Sequence, residues 1–438
     1  MENPPRATLD ARKPSGLIDN LARCAALLGV AFPLLLIVVV QKLGQTPFLA
    51  FAFLGLTALQ LMLGPTLLEI ALTIPAGALY CAVYFWLGGS LPGDALFRVV
   101  GVASFVGVGS LLAMAARILW ADREGQPRRL QALLVGITPI VFLAYMPVVF
   151  RIVSISTPYS LDRYLYAFDS RFGFEAGFVA GSWFAALPLL RTICAVVYLA
   201  LPLAMTCVYI AAPDVPDEPG LVRTFLLTGV MGAFLFYVVP AAGPVYAFTS
   251  AYPDHLPAVN AGFLQPIHLE GVRLNAMPSL HTAWALLIFW RTRRNTFGVR
   301  AGAALFLFFT LLATLGLGEH YLIDLIVAVP FVVCVRAICM NRAGLTASRI
   351  SAFAGCGLMV IAWLVLLRMG VLLRVSPSVA WALAALTVGC ALWLDAGLCR
   401  YRFLLARKRL GEAMYAAARF ARRRYYGRRR RVMVQFLS

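Results

Sequence analysis

The sequence predicts an all-α protein that crosses a membrane many times, and three observations support this prediction. Apolar types make up 61% of the 438 residues, charged types make up 13%, and the mean hydropathy is +0.84. A soluble globular chain is about 45–50% apolar and about 25% charged, so an ordinary soluble enzyme, a disordered chain and a disulfide scaffold are excluded. The apolar residues form long segments without the alternation of barrel strands. Such segments must be helices, because only a helix satisfies its own backbone groups in lipid.

Twelve apolar segments reach spanning length, and ten to twelve transmembrane helices are expected. The eighth segment is short, and residues 47–88 could form a hairpin rather than two full spans. The predicted spans are 24–41, 47–64, 69–88, 95–116, 130–150, 184–211, 224–246, 277–290, 301–318, 320–340, 351–373 and 378–398.

The distribution of positive charge predicts the orientation of these spans. With the N-terminus in the cytoplasm, 29 of the 38 Lys and Arg residues fall on the inner side, in agreement with the positive-inside rule. Both termini are then cytoplasmic, and the long loops 151–183 and 247–276 lie on the periplasmic, lumenal or extracellular side. The basic tail after Leu398 is interpreted either as a surface helix on anionic inner-leaflet lipid or as a solvated topology anchor.

Two simpler explanations of the composition are set aside. The excess of 38 Lys and Arg over 19 Asp and Glu does not indicate nucleic-acid binding, because the positive residues lie at the ends of apolar spans. The nine cysteines lie in or beside apolar spans without C-x-x-C spacing, so neither a disulfide framework nor a metal cluster is expected.

Three ionisable residues are predicted to meet at the outer membrane face. His281 begins the eighth span and His320 begins the tenth, so the turn between spans eight and nine returns both to the same side. Asp324 follows His320 by one helical turn, which places both side chains on one helix face. Ionisable groups at membrane depth are costly and are functional candidates by default.

Several chemistries suit two histidines and one aspartate. A metal site is possible, but only these ligands are present and no H-E-x-x-H pattern occurs. A serine triad would require Ser279 to face His281, two residues further along a helix, which the spacing does not favour. Nucleophilic catalysis by one histidine, oriented by a carboxylate and assisted by the other histidine, fits better. Backbone N–H groups at the start of span eight, at the turn Pro278-Ser279 and the positive end of the helix dipole, could bind an anion, so the pattern describes a phosphate site without a metal or another cofactor.

At these residues the sequence resembles the type 2 phosphatidic acid phosphatase superfamily of membrane lipid phosphatases and phosphotransferases. P-S-L-H at 278–281 resembles the second family motif, P-S-G-H, and H-Y-L-I-D at 320–324 resembles the third, H-x-x-x-D. The resemblance implies that His320 is the nucleophile that forms a phosphohistidine, that Asp324 orients it, and that His281 is the acid/base.

The resemblance also implies a domain organisation around a six-helix catalytic core at 130–340. A cytoplasmic N-terminal segment and accessory transmembrane helices precede this core, and two C-terminal transmembrane helices and a basic cytoplasmic tail follow it. The corresponding ranges are 1–23, 24–129, 341–398 and 399–438.

Two departures from the family pattern concern phosphate binding. The lipid phosphatases carry an arginine six residues before the third-motif histidine, where this chain has Thr314. The place of their basic first motif, 237–246, holds no basic residue here. Both features, together with H-Y-x-x-D and the L-D-R-Y-L-Y-A-F-D run at 161–169, look more like the inositol phosphorylceramide synthase and sphingomyelin synthase branch.

Something else must then hold the phosphate, and Arg273 is the nearest candidate on the outer side. Arg151, Arg163 and Arg191 are further candidates, each with the alternative of anchoring lipid headgroups at the interface. The other predicted phosphate- or substrate-binding residues are Ser279, Tyr321, Gly243 and Pro244.

Three functions remain open. The first is a lipid phosphotransferase that moves a phospho-headgroup, such as phosphoinositol, from a phospholipid donor to a lipid alcohol such as ceramide or diacylglycerol. The second is a phosphatase acting on a lipid phosphate or a polyprenyl diphosphate, and the third is a transporter that uses the same polar residues as a relay. The missing arginines favour the first over the second, and the absence of paired broken helices disfavours the third.

Overall fold

The computed structural model describes residues 47–91, 94–120, 126–212, 219–259, 262–340 and 346–398. The predicted N-terminal segment 1–23, the predicted first span 24–41 and the predicted basic tail 399–438 lie outside the described residues.

The described chain is built almost entirely of helices. Seven of the helices are long and apolar enough to cross a membrane, or eight if one bent pair counts as a single span. This confirms the all-α, polytopic membrane architecture. The helices are α1 (Pro47–Met62), α2 (Leu67–Trp86), α3 (Ala95–Trp120), α4 (Gln126–Ser156), α5 (Asp162–Asp169), α6 (Ala176–Ala186), α7 (Pro188–Leu199), α8 (Leu201–Ala211), α9 (Leu221–Leu235), α10 (Pro244–Ala247), α11 (Leu280–Arg291), α12 (Phe297–Gly316), α13 (Leu322–Cys339), α14 (Ala347–Arg368) and α15 (Pro377–Leu398).

Helices α11 and α13 both begin at one end of the bundle, which is called here the histidine end. Helix α11 begins with Ser279 as N-cap, whose hydroxyl accepts from the backbone N–H of Thr282 at 3.3 Å. The 3₁₀ turn Thr292–Arg294 lies at the opposite end and connects α11 to α12, which returns to the histidine end. His281 and His320 therefore lie at the same end of the bundle.

Two predicted spans have different boundaries in the structure. The segment predicted as 184–211 is divided into α7 and α8, and α7 bends by 119° from the preceding α6. The segment predicted as 224–246 ends as a helix at Leu235, and irregular backbone follows. Hydropathy did not reveal this end because the residues after Leu235, such as Val238 and Val239, are still apolar.

The two long loops meet above the histidine end. Strands β1 (Tyr159–Ser160) and β2 (Ile267–His268) pair antiparallel, with Tyr159 opposite His268. The short helix α5 follows β1 directly and contacts α10 and α13. Through this pairing, the first loop supplies a layer that covers the start of α13.

The two C-terminal helices pack on this layer and on the bundle. Arg368 donates to the Val238 carbonyl at 2.6 Å, and the indole of Trp381 donates to the Phe172 carbonyl at 3.1 Å. At the opposite end, the Asp395 carboxylate pairs with Arg293 at 2.9 Å and with Arg336. The C-terminal helices thus contact both ends of the domain that precedes them.

Candidate active site

The His320 ring is held in one orientation by the backbone. Its Nδ1 atom lies 2.9 Å from the Ala276 carbonyl oxygen, and its backbone N–H donates to the Thr314 carbonyl at 3.1 Å. A carbonyl oxygen only accepts, so we assign the ring proton to Nδ1, which leaves the Nε2 lone pair available to a substrate. Burial lowers the pKa of His320 from 6.5 to about 4, so the ring is neutral near pH 7.

Asp324 supports this arrangement from a second position. Its Oδ2 atom lies 3.5 Å from His320 Nδ1 and accepts the Tyr321 N–H at 2.8 Å. The closer partner of the ring is therefore the Ala276 carbonyl, whereas the sequence predicted the carboxylate itself. Asp324 caps the first turn of α13 and places a carboxyl oxygen beside the Nδ1 proton.

His281 lies in the first turn of α11 and faces His320. The two ring centroids are 6.5 Å apart, with 59° between the ring planes. Tyr198 of α7 stacks on His281 with a centroid distance of 3.7 Å and an angle of 18°. The two imidazoles are therefore close enough to contact one substrate group from two sides.

Both histidines line one cavity, with a volume of about 150 Å³. Its polar end also contains Arg273, Asn275 and Glu319. The remaining wall is apolar or aromatic and continues along α4: Phe48, Pro139, Phe142, Leu143, Met146, Pro147, Phe150, Tyr198, Leu201, Pro202, Phe225, Leu280 and Trp284. A polar end joined to an apolar wall fits an amphiphilic ligand.

The polar end of the cavity contains one arginine and one carboxyl group. Arg273 is exposed and is the one arginine among the residues that line this cavity, so the structure brings together this predicted phosphate ligand and the two histidines. Glu319 lies beside it and accepts a hydrogen bond from the Tyr246 hydroxyl at 3.0 Å. Burial raises the pKa of Glu319.

The other candidate cations are not among the lining residues. Arg163 lies over the Phe263 ring at 5.4 Å, and neither Arg151 nor Arg191 lines the cavity. Thr314, which replaces the family arginine, is buried and donates its hydroxyl to the Leu311 carbonyl at 2.7 Å.

The structure places the remaining predicted binding residues behind the cavity wall. Ser279, Tyr321, Gly243 and Pro244 are all buried and are not among the lining residues. Ser279 caps α11, and the Tyr321 hydroxyl donates to Asp162 at 2.8 Å. Gly243 has a φ of +102°, and an added Cβ would lie 2.4 Å from the Glu319 carbonyl oxygen. Only glycine allows this close approach beside Glu319 and His320.

Sequence reasoning did not identify two buried aspartates of α5 that organise the site. Asp162 accepts from the Ala242 N–H at 2.9 Å, the Gly243 N–H at 2.7 Å, and the hydroxyls of Ser160 and Tyr321. Asp162 thereby connects the loop before α10 to Tyr321, the residue that follows His320.

Asp169, at the other end of α5, binds the start of α13. It accepts from the Leu322 N–H at 2.5 Å and the Ile323 N–H at 3.1 Å. Two of the backbone donors that a helix start leaves unpaired are thereby satisfied. The sequence signal that could have identified both aspartates is the pair of carboxylates seven residues apart in the run 161–169.

Comparison with known proteins gives one match. Residues 163–338 match the family model of the PAP2 superfamily, the type 2 phosphatidic acid phosphatases. No curated protein and no solved structure matched the chain. The matched range contains His281, His320, Asp324 and Asp169, and it begins directly after Asp162.

The match supports the superfamily and an enzyme of the phosphatase and phosphotransferase type, without distinguishing the branches within it. Helices α1 to α4 and the C-terminal helices α14 and α15 lie outside the matched range. Residues 163–338 of this membrane protein are therefore similar to the PAP2 superfamily, and this range holds the two facing histidines at one end of its helices.

Proposed function

We propose that the protein is a membrane lipid phosphotransferase that moves a phospho-headgroup from a phospholipid donor to a lipid alcohol. The observation that carries the proposal is the cavity in which His281 and His320 face each other at the polar end of an apolar wall. This shape suits an ester whose phosphate lies between the imidazoles and whose hydrocarbon part lies along α4. Phosphoinositol is the headgroup, and ceramide or diacylglycerol the acceptor, that the sequence resemblance suggests.

The reaction would have two steps. In the first, His320 Nε2 attacks phosphorus, the bond to the diacylglycerol oxygen breaks, and protonated His281 gives its proton to that oxygen. In the second, the hydroxyl of the acceptor attacks phosphorus, neutral His281 takes the hydroxyl proton, and the P–N bond breaks to restore His320. Arg273 would offset the charge of the non-bridging phosphate oxygens.

The charges at the site favour transfer over hydrolysis of a monoester. Arg273 is accompanied by Glu319 at the polar end, and Thr314 takes the place of a second arginine without facing the cavity. A diester carries one negative charge fewer than a fully ionised monoester, so it needs less positive charge around it. Hydrolysis of a lipid phosphate or a polyprenyl diphosphate is the alternative outcome of the test.

We expect headgroup transfer to exceed hydrolysis by at least about tenfold, a difference in barrier of about 1.4 kcal/mol. The physical reason is that the apolar wall admits a lipid hydroxyl and excludes water from the phosphoenzyme. The measurement uses purified protein with headgroup-labelled phosphatidylinositol, with and without ceramide or a diacylglycerol whose acyl chains differ from those of the donor, and reads both products by mass spectrometry. The His320→Ala variant gives the background rates of transfer and hydrolysis. A parallel assay with phosphatidate as the donor covers the alternative, and release of inorganic phosphate at a rate unaffected by the acceptors would make the protein a phosphatase.

The histidine end is proposed to face the periplasm, lumen or extracellular space, with both termini in the cytoplasm. The support is the 29 inner positive charges, including Arg291, Arg293 and Arg294 at the opposite end of α11. Tyr and Phe residues of the two long loops would lie at the lipid interface and cover the site.

A labelling experiment tests this orientation. In a background without native cysteines, His255→Cys should react with a membrane-impermeant maleimide in intact cells, because position 255 is exposed at the histidine end. Thr296→Cys is the matched control, since it is exposed at the opposite end and should react only after lysis. The reverse pattern would place the site on the cytoplasmic side.

A further inference from the structure

Helix α1 lies outside the PAP2-superfamily match, yet it forms part of the candidate active site. Phe48, in its first turn, is one of the residues that line the cavity. The Phe48 ring lies 5.5 Å from the His281 ring and 5.7 Å from the Tyr198 ring. An accessory helix therefore reaches a residue of the predicted catalytic pair.

The position of α1 is fixed by close contacts with core helices. A Cβ added at Gly55 of α1 would lie 2.7 Å from the Thr206 hydroxyl of α8. A Cβ added at Gly136 of α4 would lie 2.3 Å from the Leu56 side chain of α1. Small residues at these crossings let the helices approach closely, as is common in membrane bundles. Phe48 is thus carried by a helix that packs tightly against the core.

The two histidines are held by different means. His320 is oriented by the Ala276 carbonyl, whereas no part of the chain that the structure describes hydrogen-bonds the His281 ring. His281 is instead surrounded by aromatic rings, with Tyr198 stacked at 3.7 Å and Trp284 edge-on at 6.2 Å. Phe48 completes this group at an angle of 37° to the imidazole. Aromatic contacts, rather than hydrogen bonds, therefore set the ring orientation of His281.

We propose that Phe48, together with Tyr198, is a positioning residue for His281, so that helix α1 is a functional part of the catalytic unit. The inference rests on the proposed role of His281 as the acid/base. Loss of the Phe48 ring would leave the imidazole free to turn away from the leaving oxygen.

The proposal predicts an effect that depends on the leaving group. When diacylglycerol leaves, its oxygen must receive the His281 proton as the P–O bond breaks. When 4-nitrophenol replaces diacylglycerol in the same phosphodiester, the phenolate leaves without a proton, and the position of His281 matters little for phosphoenzyme formation. A misplacement of about 1 Å can cost about 10²-fold. We therefore expect Phe48→Ala to lower the rate of phosphoenzyme formation about 10- to 100-fold with phosphatidylinositol and less than about threefold with the nitrophenyl analogue.

The experiment uses the full-length protein in detergent and compares both donors at saturating concentration, with phosphoenzyme formation followed in a single turnover. Phe48→Tyr keeps the ring and should retain a near wild-type rate on both donors. The matched control is Phe51→Ala, which removes the same side chain from the same helix at a buried position that does not line the cavity. Monodispersity and thermal melting establish that each variant is folded, and rates are expressed per folded protein.

The outcomes separate this inference from the proposed function. Equal losses on both donors in Phe48→Ala, or the same pattern in Phe51→Ala, would show a merely structural role and overturn the inference. Wild-type activity of folded Phe48→Ala would also overturn it, provided that His281→Ala shows the dependence on leaving group. If His281→Ala turns over phosphatidylinositol normally, the proposed acid/base role itself fails.

Discussion

His320→Ala is expected to remove turnover and to prevent formation of any phosphorylated enzyme. Removal of an acid/base group costs about 10²–10⁴-fold, and loss of the nucleophile should cost at least as much. The structural reason is that Nδ1 is committed to the Ala276 carbonyl at 2.9 Å, while Nε2 is the ring atom available to phosphorus. The measurement is acid-quenched labelling of the protein with a headgroup-labelled donor, alongside product formation.

Two variants sharpen this test. His281→Ala should still accumulate phosphoenzyme from the nitrophenyl donor, because that leaving group needs no proton. His268→Ala is the histidine control, since this side chain is 62% exposed, lies outside the cavity and pairs with Glu270. Near-normal activity of folded His320→Ala protein would rule out the phosphohistidine mechanism.

Asp162→Ala is expected to have the largest effect on stability. The substitution would leave the N–H groups of Ala242 and Gly243 and the Tyr321 hydroxyl without their buried acceptor. Each orphaned buried donor costs about 1–3 kcal/mol, so the total is several kcal/mol. We expect a marked fall in melting temperature in detergent and loss of activity, because the displaced loop is adjacent to Glu319 and His320.

Tyr321→Phe is the comparison for this prediction. It removes one donor and leaves the other partners of Asp162 in place, so its melting temperature should fall less than that of Asp162→Ala. If the Asp162→Ala variant had the melting temperature of the wild type, the hydrogen bonds of this carboxylate would not be what holds the loop that contains Ala242 and Gly243.

The sequence contained enough information for the architecture and for the central pair of histidines. Long apolar segments and the cost of unpaired backbone groups in lipid determine helices, so the polytopic all-α fold was predictable. The proximity of His281 and His320 was predictable because a short turn connects the helix that starts near His281 to the next helix. That second helix returns to the same end of the bundle, where His320 follows it. These arguments use properties that are local in sequence.

The support around the pair could not be predicted in the same way. Asp162 and Tyr321 are far apart in the chain, and their hydrogen bond depends on how α5 lies across the start of α13. Phe48 belongs to an accessory helix whose place in the bundle follows from side-chain packing, which hydropathy does not encode. The Ala276 carbonyl is a backbone group, so no residue type identifies it as the partner of His320.

The contacts of α14 and α15 have a consequence for biosynthesis. Chains are made from the N-terminus, and earlier parts fold first. The Val238 and Phe172 carbonyls accept hydrogen bonds from Arg368 and Trp381. Both donors are synthesised after the two histidines. A ribosome-bound chain that ends after α13 would therefore contain His281 and His320, but the layer above them would still lack its contacts with α14 and α15. The packing around the histidine end would then be completed last, when α14 and α15 insert and dock.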